Sequence, residues 1–215
     1  MSELTLPYFL VTPAAPNGRG VVLIHEGYGM TSHILRFAEE LGRQGYTVAA
    51  PDLFWRTGGP KDGPGGHLDG DYWSAIDAMT PEQLLDDLRT TIAALRAAGA
   101  TSIGITGFCL GGNTSYTAAR HADELGIGAS VAFYGTSIAE DLGDLQCPTL
   151  LFFGDEDEFF SADAMAAVKA RHADILHVYQ GAGHAFMRDD MPTHRPVQAA
   201  DAWTRLLAFF DEHLD

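Results

Sequence analysis

No window of the 215-residue chain approaches the ~18 consecutive apolar residues of a membrane-spanning helix. The N-terminus, Met1-Ser2-Glu3-Leu4-Thr5, also lacks the basic stretch and apolar run of a secretory signal, which places the protein in the cytoplasm. Cysteine is scarce. Cys109 and Cys147 are too few for a disulfide framework and fit a reducing compartment, where free thiols persist. Positive charge is scarce too: 13 Lys and Arg against 29 Asp and Glu give a formal charge of −16. That balance excludes nucleic acid and anionic membranes as partners, since both need a basic footprint. It reads as a solubility surface, and an anionic substrate would need a local arginine to overcome it. Repeats, low-complexity tracts and charged tails are absent. What remains is ordinary globular material, 46% apolar and 20% charged, sufficient for one domain spanning 1–215.

Short apolar runs alternate with helical stretches, the pattern of a mostly parallel sheet with helices on both faces. Gly20 to His25 reads as a buried strand, followed by a helix that Thr31 or Ser32 caps and Gly45 stops. Tyr46 to Ala50 forms the next strand, halted by Pro51. Thr80-Pro81-Glu82-Gln83 combines an N-cap, a first-turn proline and a capping-box partner for a helix reaching about Ala98. Further strands are expected at Thr101–Thr106, Ala129–Tyr134, Thr149–Phe153 and Ile175–Tyr179. Helices are expected over about Ser161–His172 and Val197–His213. The stretch from Arg56 to Asp71 is dense in Gly, Pro and Asp, and a loop this long in a compact domain suggests a lid over a site.

Gly107-Phe108-Cys109-Leu110-Gly111 has the glycine-flanked form of a nucleophile elbow, with a strand before it and a helix after. Such a turn pushes the nucleophile above the sheet, and its flanking positions are too crowded for side chains. The Leu110 N–H, at the helix N-terminus, can then donate to a developing oxyanion. Cys147 precedes Pro148 and a core strand, so it reads as a small buried hydrophobe.

A thiol is only a few per cent ionised at neutral pH and needs a base. Of nine histidines, His184 stands apart, in a glycine-rich turn (Gln180 to Phe186) after the last strand. Its orienting acid should follow the preceding strand, where Asp155 and Asp157 are both available. The chain order nucleophile, acid, histidine is that of α/β hydrolases.

These residues resemble the dienelactone hydrolase family, α/β hydrolases with a Cys-His-Asp triad. The similarity rests on G-F-C-L-G-G, G-D-E-D-E, G-A-G-H-A-F, H-E-G-Y-G and P-D-L-F-W-R. It implies the α/β-hydrolase fold and selects Asp157 as the acid. It also gives Glu26 a place beside the cysteine, where a carboxylate disfavours the thiolate until substrate binds. The amide of Gly27 becomes the second oxyanion donor. The family's type substrate is a lactone bearing a carboxylate, held by arginines. Arg188, four residues past His184, matches one such position, while Arg56 cannot be aligned with the second. Tyr134 joins them as a candidate substrate contact. The segment from Thr57 to Asp71 departs from the type pattern, and Ala185 stands where the type enzyme has a serine.

The resemblance implies a cofactor-free and metal-free hydrolase of lactones or esters, of the carboxymethylenebutenolidase kind, acting as a monomer or small homo-oligomer. A general carboxylesterase or thioesterase and a non-catalytic, redox-sensing relative are the alternatives. A glutamine-amidotransferase-like reading fails for want of a C-H pair and an H-x-E motif.

Overall fold

Stretches rich in β-branched and aromatic residues build a sheet whose alternation sends side chains to two covered faces. The computed structural model describes residues 6–59, 61–62, 68–69 and 72–215. Its strands are β1 (Tyr8–Val11), β2 (Arg19–Ile24), β3 (Thr47–Pro51), β4 (Lys61–Asp62), β5 (Leu68–Asp69), β6 (Ser102–Phe108), β7 (Ala129–Phe133), β8 (Thr149–Gly154) and β9 (Leu176–Tyr179). Seven of them form one sheet in the order β1-β3-β2-β6-β7-β8-β9, while β4 and β5 make a separate two-stranded ribbon. Within the large sheet β1 alone runs antiparallel, pairing Tyr8 with Pro51 and Val11 with Val48. The fold is that of an α/β hydrolase, as the sequence implies.

The helices are α1 (Ser32–Arg43), α2 (Tyr72–Asp77), α3 (Pro81–Ala97), α4 (Leu110–Arg120), α5 (Ala122–Leu125), α6 (Ala162–His172) and α7 (Pro196–His213). Residues of β2 divide them by parity. Val21 and Leu23 pack with α1 and α7 through Ile34, Phe37, Leu206 and Phe210. Val22 and Ile24 pack with α3 through Leu88, Ile92 and Leu95. All of these side chains are nearly inaccessible, and burying each one contributes roughly 1.5–3 kcal/mol.

The Thr80 capping box forms as expected: Thr80 Oγ1 accepts from the Gln83 N–H and Gln83 Oε1 from the Thr80 N–H, both at 3.2 Å. Thr31 does occupy the N-cap of α1, but its hydroxyl is buried and makes no capping bond. Half of the expected lid, residues 60, 63–67, 70 and 71, falls outside the described residues. Among the described residues, no helix is long and apolar enough to cross a membrane.

Candidate active site

Strand β6 ends at Phe108 and α4 begins at Leu110, so Cys109 alone makes the turn between them. It does so in the left-handed region, at φ 55° and ψ −110°. Its N–H donates to the Phe133 carbonyl at 3.0 Å, and its own carbonyl accepts from the Asn113 N–H at 3.0 Å, closing the first turn of α4. The flanking glycines have a steric cause. A Cβ on Gly107 would lie 2.5 Å from the Gly111 carbonyl oxygen, and one on Gly111 would lie 2.4 Å from that of Ile24. The turn leaves the thiol partly exposed. Cys147, by contrast, is buried, and burial pushes its thiol up to about 11.

The loops after β8 and β9 are tied together before they meet the cysteine. The Glu156 N–H donates to the Ala182 carbonyl at 2.9 Å. Asp155 Oδ1 accepts from the Gly181 N–H at 2.7 Å, which fixes the bend of the histidine loop. Asp157 faces the other way, its Oδ2 lying 2.8 Å from His184 Nδ1, with its side chain almost wholly buried. The two aspartates that sequence could not separate thus have different tasks. His184 stands between two rings, Tyr134 and Phe159, each with its centroid 5.0 Å away and roughly edge-on. Burial works against a charged imidazole. Hydrogen bonds with Asp157 and with Cys109 outweigh it, and the His184 pKa is pushed up to about 10.

Glu26 lies two residues beyond β2, 2% exposed, close enough to His184 for their charges to interact. Burial raises its pKa, and the Arg188 guanidinium opposes that rise. Arg188 Nη1 donates to Glu26 Oε2 at 2.8 Å, and the Tyr134 hydroxyl donates to Oε1 at 3.4 Å. The remaining edge of Arg188 is closed by Asp190, whose two oxygens accept from Nε and Nη2 at 2.9 Å each.

The three expected substrate contacts stand in these surroundings. Arg188 is 5% exposed and its donors meet two carboxylates, Glu26 and Asp190. Arg56 is drawn to the buried Asp87 of α3, which it grips with two bonds of 2.6 and 2.9 Å while stacking on Trp55. Tyr134, fully buried just past the end of β7, lies with its ring 5.0 Å from that of His184.

The two amides expected as oxyanion donors are set by helix and loop. The Leu110 N–H is the first of α4, where no earlier turn supplies an acceptor. Gly27 is oriented indirectly. The Glu26 carbonyl accepts from His25 Nδ1–H at 2.6 Å and from the Gly29 N–H at 3.0 Å. Because the peptide is trans, the Gly27 N–H points away from that pinned carbonyl. His25 Nε2 in turn accepts from the Leu53 N–H at 3.0 Å, so one neutral tautomer is selected and burial keeps it neutral.

Sequence reasoning missed His25, Asp190 and Phe159. His25 could have been read from its place at a strand end beside Glu26, and Phe159 from its position two residues past Asp157. His33, Asp189 and Asp190 form a group with metal-ligand spacing. Arg36 and Arg188 already pair with its carboxylates.

A partly exposed cysteine on a strained strand–helix turn, joined to a histidine and a buried aspartate from successive strand ends, defines an α/β hydrolase. The profile of the dienelactone hydrolase family matches residues 6–214. A protein of Yersinia pestis named "Putative carboxymethylenebutenolidase" is 32% identical over 228 residues, covering 97% of this chain and 84% of its own. A Klebsiella pneumoniae structure described as "Putative Dienelactone Hydrolase" superposes with a TM-score of 0.80 at 26% identity, covering 97% of this chain and 93% of the other. The dienelactone hydrolase of Anabaena variabilis shares the fold, with a TM-score of 0.65 at 19% identity over 100% and 94% of the two chains. The chain belongs to the dienelactone hydrolase family and is a hydrolase.

Proposed function

We propose that the chain hydrolyses carboxylic esters or lactones in two steps through Cys109, as one catalytic domain. The observation that carries this reading is the junction of His184 with Asp157 on one side and Cys109 on the other. Charge on His184 favours a thiolate on its sulfur partner. Glu26 would oppose that thiolate, and its pairing with Arg188 weakens the opposition.

The thiolate attacks the carbonyl carbon, and the oxyanion is received by the Leu110 and Gly27 amides. Collapse breaks the C–O bond, with the His184 imidazolium giving its proton to the leaving oxygen. Neutral His184 then takes a proton from water. The hydroxide attacks the thioester, and the thiolate departs with the acid as product. Asp157 holds the imidazole in the required tautomer throughout. No step calls on a metal or organic cofactor. Two free thiols support a cytoplasmic setting.

Cys109→Ala should abolish turnover of activated esters, and Cys109→Ser should be far weaker because an alkoxide forms less readily than a thiolate. Mass spectrometry of wild-type protein mixed with such an ester should show an acyl adduct on the peptide carrying Cys109. Full activity in Cys109→Ala would refute the assignment.

A further inference from the structure

We propose that Arg195 is a positioning residue for His184, clasping both ends of the loop that carries the imidazole. This rests on the hydrolase reading above and extends its machinery to the head of α7.

Arg195 stands where local rules disfavour it. It is the N-cap of α7, a place that Ser, Thr, Asp and Asn fill best, and its side chain makes no capping bond. A cation there also faces the positive end of the helix dipole. The chain holds 29 Asp and Glu, yet among the described residues the Arg195 guanidinium donates only to main-chain carbonyls. A residue that breaks local rules in this way is kept for a longer-range contact.

The carbonyls identify that contact. Arg195 Nε donates to the Gly181 carbonyl at 2.9 Å. Its Nη1 donates to the carbonyls of His194 and Pro192 at 3.1 and 3.3 Å, which anchors the guanidinium to its own segment. The main-chain N–H of Arg195 donates to the Phe186 carbonyl at 3.0 Å. Gly181 precedes His184 by three residues and Phe186 follows it by two, so one residue closes the base of the loop. Its neighbours reinforce the closure. His194 Nδ1–H donates to the same Phe186 carbonyl at 3.1 Å, and Gln198 Nε2 donates to the Gln180 carbonyl at 3.0 Å. Gly181 is thereby held on two sides, its N–H by Asp155 and its carbonyl by Arg195. The 2.8 Å approach of His184 to Asp157 depends on that register. A displacement of about 1 Å at a reacting group can cost on the order of 10²-fold in rate.

Arg195→Met tests this, since it keeps the length of the side chain and removes its donors. On an activated ester kcat should fall on the order of 10²-fold with little change in KM. In proton NMR, the Nδ1 proton that His184 shares with Asp157, assigned by its loss in His184→Gln, should shift or broaden. Arg195→Lys keeps one donor for Gly181 and should recover part of kcat. Arg96→Met is the control: it removes another arginine–carbonyl bond, to Gly126 at 3.2 Å, and should leave kcat and the NMR signal unchanged. Arg195→Gln gives the same reading if the methionine variant does not fold. Wild-type kcat in the folded variant would overturn the inference, as would a loss of kcat with the Nδ1 signal unmoved. Those results leave ester hydrolysis intact. Wild-type protein inert to every activated ester, with the Nδ1 signal still moved by Arg195→Met, would overturn the hydrolase reading and leave the clasp standing.

Discussion

Replacing Arg188 by methionine separates a structural counter-ion from a substrate receptor. Methionine keeps the length of the side chain and removes its charge. Glu26, 2% exposed, would then be left with only the long 3.4 Å bond from Tyr134. Two unit charges about 4 Å apart attract by about 4 kcal/mol at the effective dielectric of a protein. Breaking a buried pair by removing one partner costs roughly 3–5 kcal/mol in practice. The two figures agree, so the variant should lose about that much stability near neutral pH. The loss should depend on pH. Burial already raises the Glu26 pKa above its ordinary 4.5, and without Arg188 it rises further. An acid with a raised folded-state pKa contributes stability that is fully present below its unfolded value and is lost as pH rises through the folded one. Arg188→Met should therefore approach the wild-type protein at about pH 4 and fall away above it, by up to about 1.4 kcal/mol per pH unit. Urea unfolding followed by circular dichroism across that range reads the difference. Adding Glu26→Gln to the variant should restore most of the loss at neutral pH. A variant as stable as wild type at every pH, but defective toward carboxylate-bearing esters, would refute the reasoning and return Arg188 to the role of substrate receptor.

Asp157→Asn should reduce kcat on the order of 10⁴-fold, because the amide favours the wrong imidazole tautomer. With the His184 pKa raised to about 10, the stability gained from its pairing is full below its ordinary 6.5 and lost as pH rises through about 10, so the two proteins should converge in unfolding free energy above that point. Gly111→Ala, which sets a Cβ 2.4 Å from the Ile24 carbonyl oxygen, should cost at least about 3 kcal/mol or yield insoluble protein. Thermal melts check it. His25→Ala should lower kcat about tenfold or more with a smaller change in KM, since the Gly27 donor loses its aim while Cys109 and His184 stay in place. Steady-state kinetics on one activated ester separates the two constants.

The parts of the site legible in sequence are those with local causes. The elbow shows because steric crowding leaves room only for glycine at positions 107 and 111. His184 shows because it sits in a turn after a strand. Local spacing could not choose between Asp155 and Asp157, since the choice depends on which loop each carboxylate meets; one meets the Gly181 N–H and the other His184. Arg188 was legible by its place after His184, and its partners were not. Its role is set by Asp190, two residues away, and by Glu26, 162 residues away, and no local pattern reveals such a pairing. Strand β1 went unread because it is a four-residue edge strand, half-exposed and antiparallel. Tyr134 was placed within a strand, whereas the chain leaves the extended conformation there at φ 38°.

Cys109, Tyr134 and Ala185 are the described residues other than glycine with positive φ, and all three adjoin the proposed reaction centre. Each such conformation costs on the order of 1–3 kcal/mol, and the surrounding core must hold it. Any change that loosens the framework releases these three residues before it dissolves the strands beneath them. Warming should accordingly silence the enzyme at a lower temperature than it melts the sheet, leaving a well-folded but inert protein in between.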